Sequence, residues 1–174
     1  GLASTLVCNV LFARYHGVLE AVAPGLGTPD LLPLVGGAEL RALLEALGPA
    51  GREAYRPIAK VDMVYPLAYG TFMLLTLAWG LAERLETSRW WRAVLLLPAV
   101  GVLADYVENV AARFIVDGWP QVSEGIASVW VYAHALKWLS LGPCFVLTLF
   151  AIFLAMVRAR VAKRDAASTG EPPQ

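Results

Sequence analysis

Long apolar segments alternate with shorter polar ones along the chain. The apolar segments cover residues 2–22, 61–82, 91–116 and 126–157. Each is long enough to cross a hydrocarbon core of about 30 Å as a helix. The segments lack the alternation of apolar and polar residues that is typical of strands. Backbone groups in lipid must also form their hydrogen bonds within the protein, which favours helices. The pattern predicts an all-α membrane protein, a four-transmembrane-helix bundle that forms one domain over residues 1–164.

The connection 23–60 has a different pattern. Within it, residues 38–47 place leucines at i, i+3, i+4 and i+7 opposite charged residues, and Gly48 and Pro49 follow. This spacing is typical of a short amphipathic helix, which we expect to end at Gly48. A cap lying on the mouth of the bundle is the favoured interpretation, and a lid over a cavity is the alternative.

Polar residues inside the apolar segments mark the candidate site. The third segment carries four of them on one side of the predicted helix: Asp105, Glu108, Asn109 and Arg113. Two other segments each add a polar face: Asp62, Tyr65 and Tyr69 on the second, and Trp130, His134 and Lys137 on the fourth. Ionisable groups in hydrocarbon are costly, so they usually face the bundle interior, pair with one another or line a path for a polar substrate. The sequence therefore predicts an intramembrane polar site between three spans.

The rise of a helix places these side chains at matching depths. Counted from the centres of the spans, Glu108 and Lys137 lie about 8 to 10 Å above the midplane, and Asp62 and Arg113 lie about 15 Å above it. Two ion pairs are predicted from this match. They join Asp62 with Arg113, and Lys137 with either Glu108 or Asp105.

Neighbouring carboxylates with a histidine or lysine beside them are the arrangement that general acid–base catalysis uses. The candidate catalytic residues are Asp105, Glu108, His134 and Lys137. The candidate ligand-binding residues are Asp62, Tyr65, Tyr69, Asn109, Arg113 and Trp130. No metal site is predicted, because the ligand set around the two carboxylates is incomplete and the lysine would compete for them. The identity of any cofactor is left open.

A purely structural interpretation competes with the catalytic one. The same groups can form interhelical salt bridges and hydrogen bonds that fix the packing of the bundle. The structural interpretation does not explain all of these residues, because two ion pairs require fewer polar groups than the spans contain. Each additional buried polar group adds a desolvation cost. On the first segment, Asn9 is expected to form an interhelical hydrogen bond.

Composition and charge support the membrane class. Hydrophobic residues make up 58% of the 174 residues and charged residues 16%, which is far from the average soluble domain. The 14 basic residues balance the 14 acidic ones, so no net field favours nucleic acid. Cys8 and Cys144 lie in apolar segments without metal-ligand spacing, and we expect both to be core residues.

Basic residues indicate the orientation of the chain. Arg84, Arg89 and Arg92 flank the connection between the second and third segments, and a basic run follows the fourth. By the positive-inside rule, both places lie in the cytoplasm. The N- and C-termini are therefore predicted to be cytoplasmic, with the connection 23–60 facing outward. The polar tail 165–174 is predicted to be disordered.

Short motifs resemble a group of small, uncharacterised bacterial four-helix membrane proteins. They are Leu47-Gly-Pro-Ala-Gly-Arg-x-x-Tyr55, Asp62-Met-Val-Tyr-Pro-Leu-Ala-Tyr69, Asp105-Tyr-Val-Glu-Asn109 and Lys137-Trp138. The resemblance covers most of residues 38–140. It implies a multi-pass protein of the bacterial inner (cytoplasmic) membrane and supports the choice of site residues, and it implies no activity.

These patterns lead to two functional expectations. The first is a membrane protein whose intramembrane polar pocket binds or transforms a small lipid-like or amphipathic molecule, with its status as an enzyme left open. The second is a non-catalytic accessory subunit of a larger membrane complex, in which the polar residues only lock helix packing. Membrane lipids are the expected partners, other membrane subunits belong to the second expectation, and nucleic acid is not expected.

Overall fold

The structure, a computed structural model, describes residues 2–29 and 36–169, apart from the side chains of residues 165–169. The regular elements of this part of the chain are helices: α1 (Leu2–Val22), α2 (Gly37–Asp62), α3 (Tyr65–Gly80), α4 (Ala82–Thr87), α5 (Arg89–Val94), α6 (Leu96–Gly118) and α7 (Glu124–Thr169). Four stretches are long and apolar enough to cross a membrane: Leu2–Val22, Gly37–Gly80, Arg89–Gly118 and Glu124–Arg164. The predicted helical architecture with four candidate spans is therefore confirmed.

Apolar side chains cover the outside of the bundle. Leu103 and Phe114 on α6 and Leu139 on α7 are more than half exposed, although a soluble protein would bury most such side chains. In lipid, exposed apolar side chains carry no such cost. Helix α1 fits the same environment, because it buries only Cys8 and Leu19 along its length. The surface thus agrees with the composition in indicating a multi-pass membrane protein.

Helix α2 is longer than the sequence pattern predicts. Gly48 has φ 61°, which lies in the left-handed region that favours glycine, but the helix resumes at once and continues to Asp62. Pro49 begins the new turn, where a proline lacks no needed hydrogen bond. The amphipathic piece therefore ends at Gly48 as predicted, but a second helical piece, which the sequence pattern did not predict, follows directly after it. Residues 30–35 of the preceding connection lie outside the described part.

The first piece of α2 packs onto the bundle through its leucines. Leu40, Leu43, Leu44 and Leu47 belong to a buried cluster that also contains Ile115 of α6, Trp130 of α7 and Tyr55 of α2. Burial of these side chains is the main favourable term that holds such an amphipathic helix in place. The packing agrees with the interpretation of this piece as a cap.

Helices α6 and α7 form the most extensive helix pair, and a small residue sets their separation. A Cβ added to Gly101 would collide with the Leu141 side chain, so the absence of a side chain at Gly101 lets the two helices approach closely. The same applies to Gly80 on α3, which packs against Ala151 of α7. Cys8 and Cys144 are buried free cysteines, as expected.

Helix α7 continues beyond the fourth predicted span. It runs to Thr169, because residues 158–169 contain neither glycine nor proline and are rich in strong helix formers. The prediction that the tail is disordered from residue 165 is therefore wrong for residues 165–169, and residues 170–174 lie outside the described part. Arg158 donates a hydrogen bond to the Gly80 carbonyl and ties this extension to α3.

Candidate functional site

Four ionisable side chains meet between α6 and α7, and we name them the buried cluster: Asp105, Glu108, His134 and Lys137. Lys137 Nζ lies 3.5 Å from Asp105 Oδ1 and 2.5 Å from Glu108 Oε2. His134 Nδ1 lies 2.9 Å from Glu108 Oε1. The side chains are at most 7% exposed. The sequence predicted that Lys137 would pair with one of the two carboxylates, and the structure brings it to both.

The register of two antiparallel helices creates this arrangement. Asp105 and Glu108 are three positions apart on α6, and His134 and Lys137 are three positions apart on α7, which runs in the opposite direction. Asp105 therefore faces Lys137 at the level where Glu108 faces His134. Gly101 meets Leu141 one turn further along both helices. The close contact at Gly101 and the ionic contacts of the buried cluster therefore belong to the same antiparallel register of α6 and α7.

Two tyrosines of α3 connect the buried cluster to α1. The Tyr69 hydroxyl donates a hydrogen bond of 2.7 Å to Asp105 Oδ2. The rings of Tyr65 and Tyr69 meet edge to face with centroids 5.2 Å apart, a favourable aromatic geometry. The Tyr65 hydroxyl donates to Asn9 Oδ1 of α1 at 3.3 Å, which is the interhelical hydrogen bond predicted for Asn9. Four helices, α1, α3, α6 and α7, thus contribute contacts to one polar region.

Tryptophans enclose the imidazole. The indole of Trp130 stacks on His134, with ring centroids 4.8 Å apart and planes at 15°. Trp138 presents its ring edge-on to His134 at 6.3 Å and lies 5.6 Å from Lys137 Nζ. Trp130 is fully buried, so this stacking fixes the plane of the imidazole and keeps water away from that face.

On the outer side of the buried cluster, the structure gives Arg113 a different partner from the predicted one. Asn109 Nδ2 donates to the backbone carbonyl of Asp62 at 3.0 Å. The Arg113 side chain is 66% exposed, and its Nε lies 3.8 Å from Asp117 Oδ2. The predicted pair of Asp62 with Arg113 is therefore replaced by a pair within α6. The physical reason is that the long arginine side chain can reach the surface, where its charge stays hydrated.

Among the cavities lined by described residues, two lie near the buried cluster, and its side chains line neither of them. The first, which we name the outer cavity, has a volume of about 260 Å³ and is lined by charged residues from α2 and α6, among them Arg56, Lys60 and Arg113. The second is an apolar groove of about 380 Å³ between α6 and α7, lined by residues such as Phe114 and Val129. The buried cluster itself is closely packed, so a ligand would reach it only after side chains move.

A metal ion would have to compete with the lysine. Among the residues that the structure describes, no group of three or more histidine, cysteine, aspartate or glutamate side chains is placed to hold a metal ion. The ammonium of Lys137 lies between Asp105 and Glu108, where a cation would have to bind. The chemistry available here is proton transfer between carboxylates, an imidazole and an amine.

The outer cavity is the part of the polar region that the sequence analysis missed. Arg52, Arg56 and Lys60 follow each other at four-residue intervals on α2, a spacing that places basic side chains on one side of a helix. This signal was present in the sequence. It was missed because no helix was predicted after Gly48, and a four-residue spacing places side chains on one face only within a helix.

Comparison of the chain with protein-family models, with curated proteins and with solved structures gives no match. The resemblance of the short motifs to small bacterial four-helix membrane proteins stays a prediction. Function is therefore inferred from the geometry of the buried cluster and its surroundings.

Proposed function

We propose that this protein is a multi-pass protein of the bacterial inner membrane that binds or transforms a small amphipathic or lipid-like molecule by means of the buried cluster. The basic residues around α4 and α5 and at the end of α7 favour a cytoplasmic location for both termini. The cap piece of α2 and the outer cavity then face the opposite side of the membrane, and membrane lipids are the nearest source of ligands.

The observation that supports this proposal is the charge balance of the buried cluster. Asp105 and Glu108 carry two negative charges when ionised, and Lys137 supplies one positive charge to both. A buried net charge is costly, so the cluster is neutral only when one more proton is bound, on His134 or on a carboxylate. A site that holds one exchangeable proton among four groups can donate it to a substrate or accept one, which is what an acid–base catalyst requires.

A stripe of polar residues connects the buried cluster with the outer cavity. Asp105, Asn109, Arg113 and Asp117 follow each other at four-residue intervals along α6, over about 18 Å of helix. The inner end is buried in the bundle and the outer end is exposed. A molecule with a polar head and an apolar body suits this arrangement, because its head can lie along the stripe while its body stays in lipid.

A second function is favoured by a specific observation. The ionisable groups of the buried cluster contact one another, and neither neighbouring cavity is lined by them. A closed set of paired charges is what an accessory subunit needs if the polar residues only hold α6 on α7. In that case the protein would act through contacts with other membrane subunits.

The substitution Glu108→Gln separates the two functions, because it keeps the size of the side chain and removes its charge. Wild-type protein and the variant are extracted gently from membranes, and native mass spectrometry measures retained ligand and partner chains. We expect the variant to assemble and to lose the retained amphipathic molecule. Glu45→Gln, at an exposed position of α2, is the control for the loss of one negative charge.

The same measurement identifies the outcome that contradicts the proposal. If Glu108→Gln lowers the unfolding temperature and retains the same small molecules as the wild type, the buried cluster is structural. If a partner chain is retained by the wild type and lost from the variant, the accessory function is supported instead.

A further inference from the structure

We propose that the outer cavity binds a phosphate group, and that a phospholipid with an anionic headgroup supplies it. The choice of a lipid as the source rests on the proposed function, whereas the phosphate chemistry rests on the cavity alone. The cavity of about 260 Å³ is lined by three cations, Arg56, Lys60 and Arg113, and by two carboxylates, Glu53 and Asp117. With these groups ionised, the lining carries one net positive charge, which favours an anion.

The two carboxylates position one of the cations and leave the others available. Arg56 Nη1 lies 2.6 Å from Asp117 Oδ1, and Arg56 Nε lies 2.8 Å from Glu53 Oε2. The contact of Arg113 with Asp117 is 3.8 Å long, which is too long for a hydrogen bond. Among the described residues, Lys60 has neither an ion pair nor a side-chain hydrogen bond. An anion in this cavity would therefore meet two cations with unused donors.

The depth and the apolar part of the lining favour a lipid headgroup. Arg113 is ten residues from Leu103, near the centre of the third span, so it lies about 15 Å from the midplane, at the level of the headgroups. Pro57 and Val116 form an apolar part of the same lining. The cavity is large enough for a headgroup and too small for a whole lipid, so the acyl chains would remain in the bilayer.

A phosphate fits these donors better than a carboxylate does. Its oxygens can accept several charge-assisted hydrogen bonds at once, from the planar guanidinium of Arg113 and from the ammonium of Lys60. Each such contact is partly exposed here, so its contribution is modest and falls with salt. The site is therefore expected to select phosphate-bearing lipids without binding them irreversibly.

The test uses the full chain in nanodiscs of phosphatidylcholine that contain phosphatidic acid, phosphatidylglycerol or oleate. Native mass spectrometry measures which lipids the protein retains, and inorganic phosphate is titrated against the protein in detergent. We expect enrichment of phosphatidic acid and phosphatidylglycerol over oleate. The variants Lys60→Gln and Arg113→Gln should each reduce it roughly fivefold. Asp117→Asn should increase it, because this change removes a competing anion.

Arg41→Gln is the matched control. Arg41 is paired with Glu124 at 2.6 Å on the same side of the bundle, outside the outer cavity, so the substitution changes net charge equally. Enrichment that is absent in the wild type, or that Arg41→Gln reduces as much as Lys60→Gln does, would overturn the proposal. Saturable binding of inorganic phosphate that needs Lys60 and Arg113, without lipid enrichment, would assign the site to free phosphate.

Glu108→Gln measured in parallel keeps the two proposals apart. Loss of the amphipathic ligand in Glu108→Gln, with no effect of Lys60→Gln, would reject the phosphate site and leave the proposed function standing, because Lys60 lies outside the polar stripe of α6. The reverse result would support the phosphate site and reject a role of the buried cluster in ligand binding.

Discussion

Gly101 of α6 packs against Leu141 of α7 in the same antiparallel register that brings Asp105 to Lys137 and Glu108 to His134. A side chain at Gly101 would collide with the Leu141 side chain one turn away from the buried cluster. Helix separation and the ionic contacts are therefore linked, and a change in packing at the glycine should be felt at the charged groups.

The substitution Gly101→Leu tests this link. It should lower the free energy of unfolding by about 1–3 kcal/mol, because the new side chain overpacks the contact with Leu141, and it should also reduce retention of the amphipathic ligand. Thermal unfolding in detergent and native mass spectrometry measure the two effects. Gly142→Leu is the control, since a Cβ at Gly142 meets nothing within 4 Å. Equal effects of the two substitutions would show that the register does not matter.

Removal of the lysine should be the most damaging change in the buried cluster. Lys137→Met leaves Asp105 and Glu108 without their shared cation, and breaking a buried ion pair in this way costs about 3–5 kcal/mol. The additional substitution Asp105→Asn should restore part of the stability, because it removes one of the uncompensated charges. Unfolding in detergent gives both values, and Lys163→Met on the exposed end of α7 is the control. A double variant less stable than Lys137→Met would contradict the charge argument.

The hydrogen bond from Tyr69 to Asp105 is expected to contribute less to the free energy of unfolding than the ion pairs of Lys137 do. Tyr69→Phe keeps the ring and removes the donor, which leaves a buried carboxylate oxygen without this partner and should cost about 1–3 kcal/mol. Tyr132→Phe, at a residue that is 75% exposed, should have almost no effect on thermal unfolding. The prediction is wrong if the two phenylalanine variants unfold at the same temperature.

The kink of α2 depends on backbone conformation alone. Gly48 has φ 61° and ψ −176° and no neighbour within 4 Å of an added Cβ. Gly48→Ala should therefore destabilise the protein by about 1–3 kcal/mol, because essentially only glycine adopts this backbone conformation. Gly17→Ala in α1 also meets no neighbour, but its helical backbone accepts alanine, which should stabilise it slightly. The unfolding temperature should fall for Gly48→Ala and rise slightly for Gly17→Ala. A stabilising effect of Gly48→Ala would contradict a positive φ at this residue.

The sequence alone was sufficient for the four candidate spans and for the polar faces of the third and fourth. Apolar length identified four candidate spans, and helical spacing placed Asp105 and Glu108 on one face of α6 and His134 and Lys137 on one face of α7. Depth along the spans placed Lys137 level with the two carboxylates and left open which of them it contacts. Periodicity succeeds here because it depends only on the geometry of a single helix.

What needed the tertiary structure was the choice among partners and the course of the chain at its breaks. Depth along a span could pair Asp62 with Arg113 equally well, but the rotation of α6 and the length of the arginine side chain turn it to Asp117 at the surface. The pattern at Gly48 indicated a break, and only packing of both pieces of α2 on the bundle made it a kink. The physical reason is that helix rotation and side-chain reach are set by contacts between elements, which no local pattern contains.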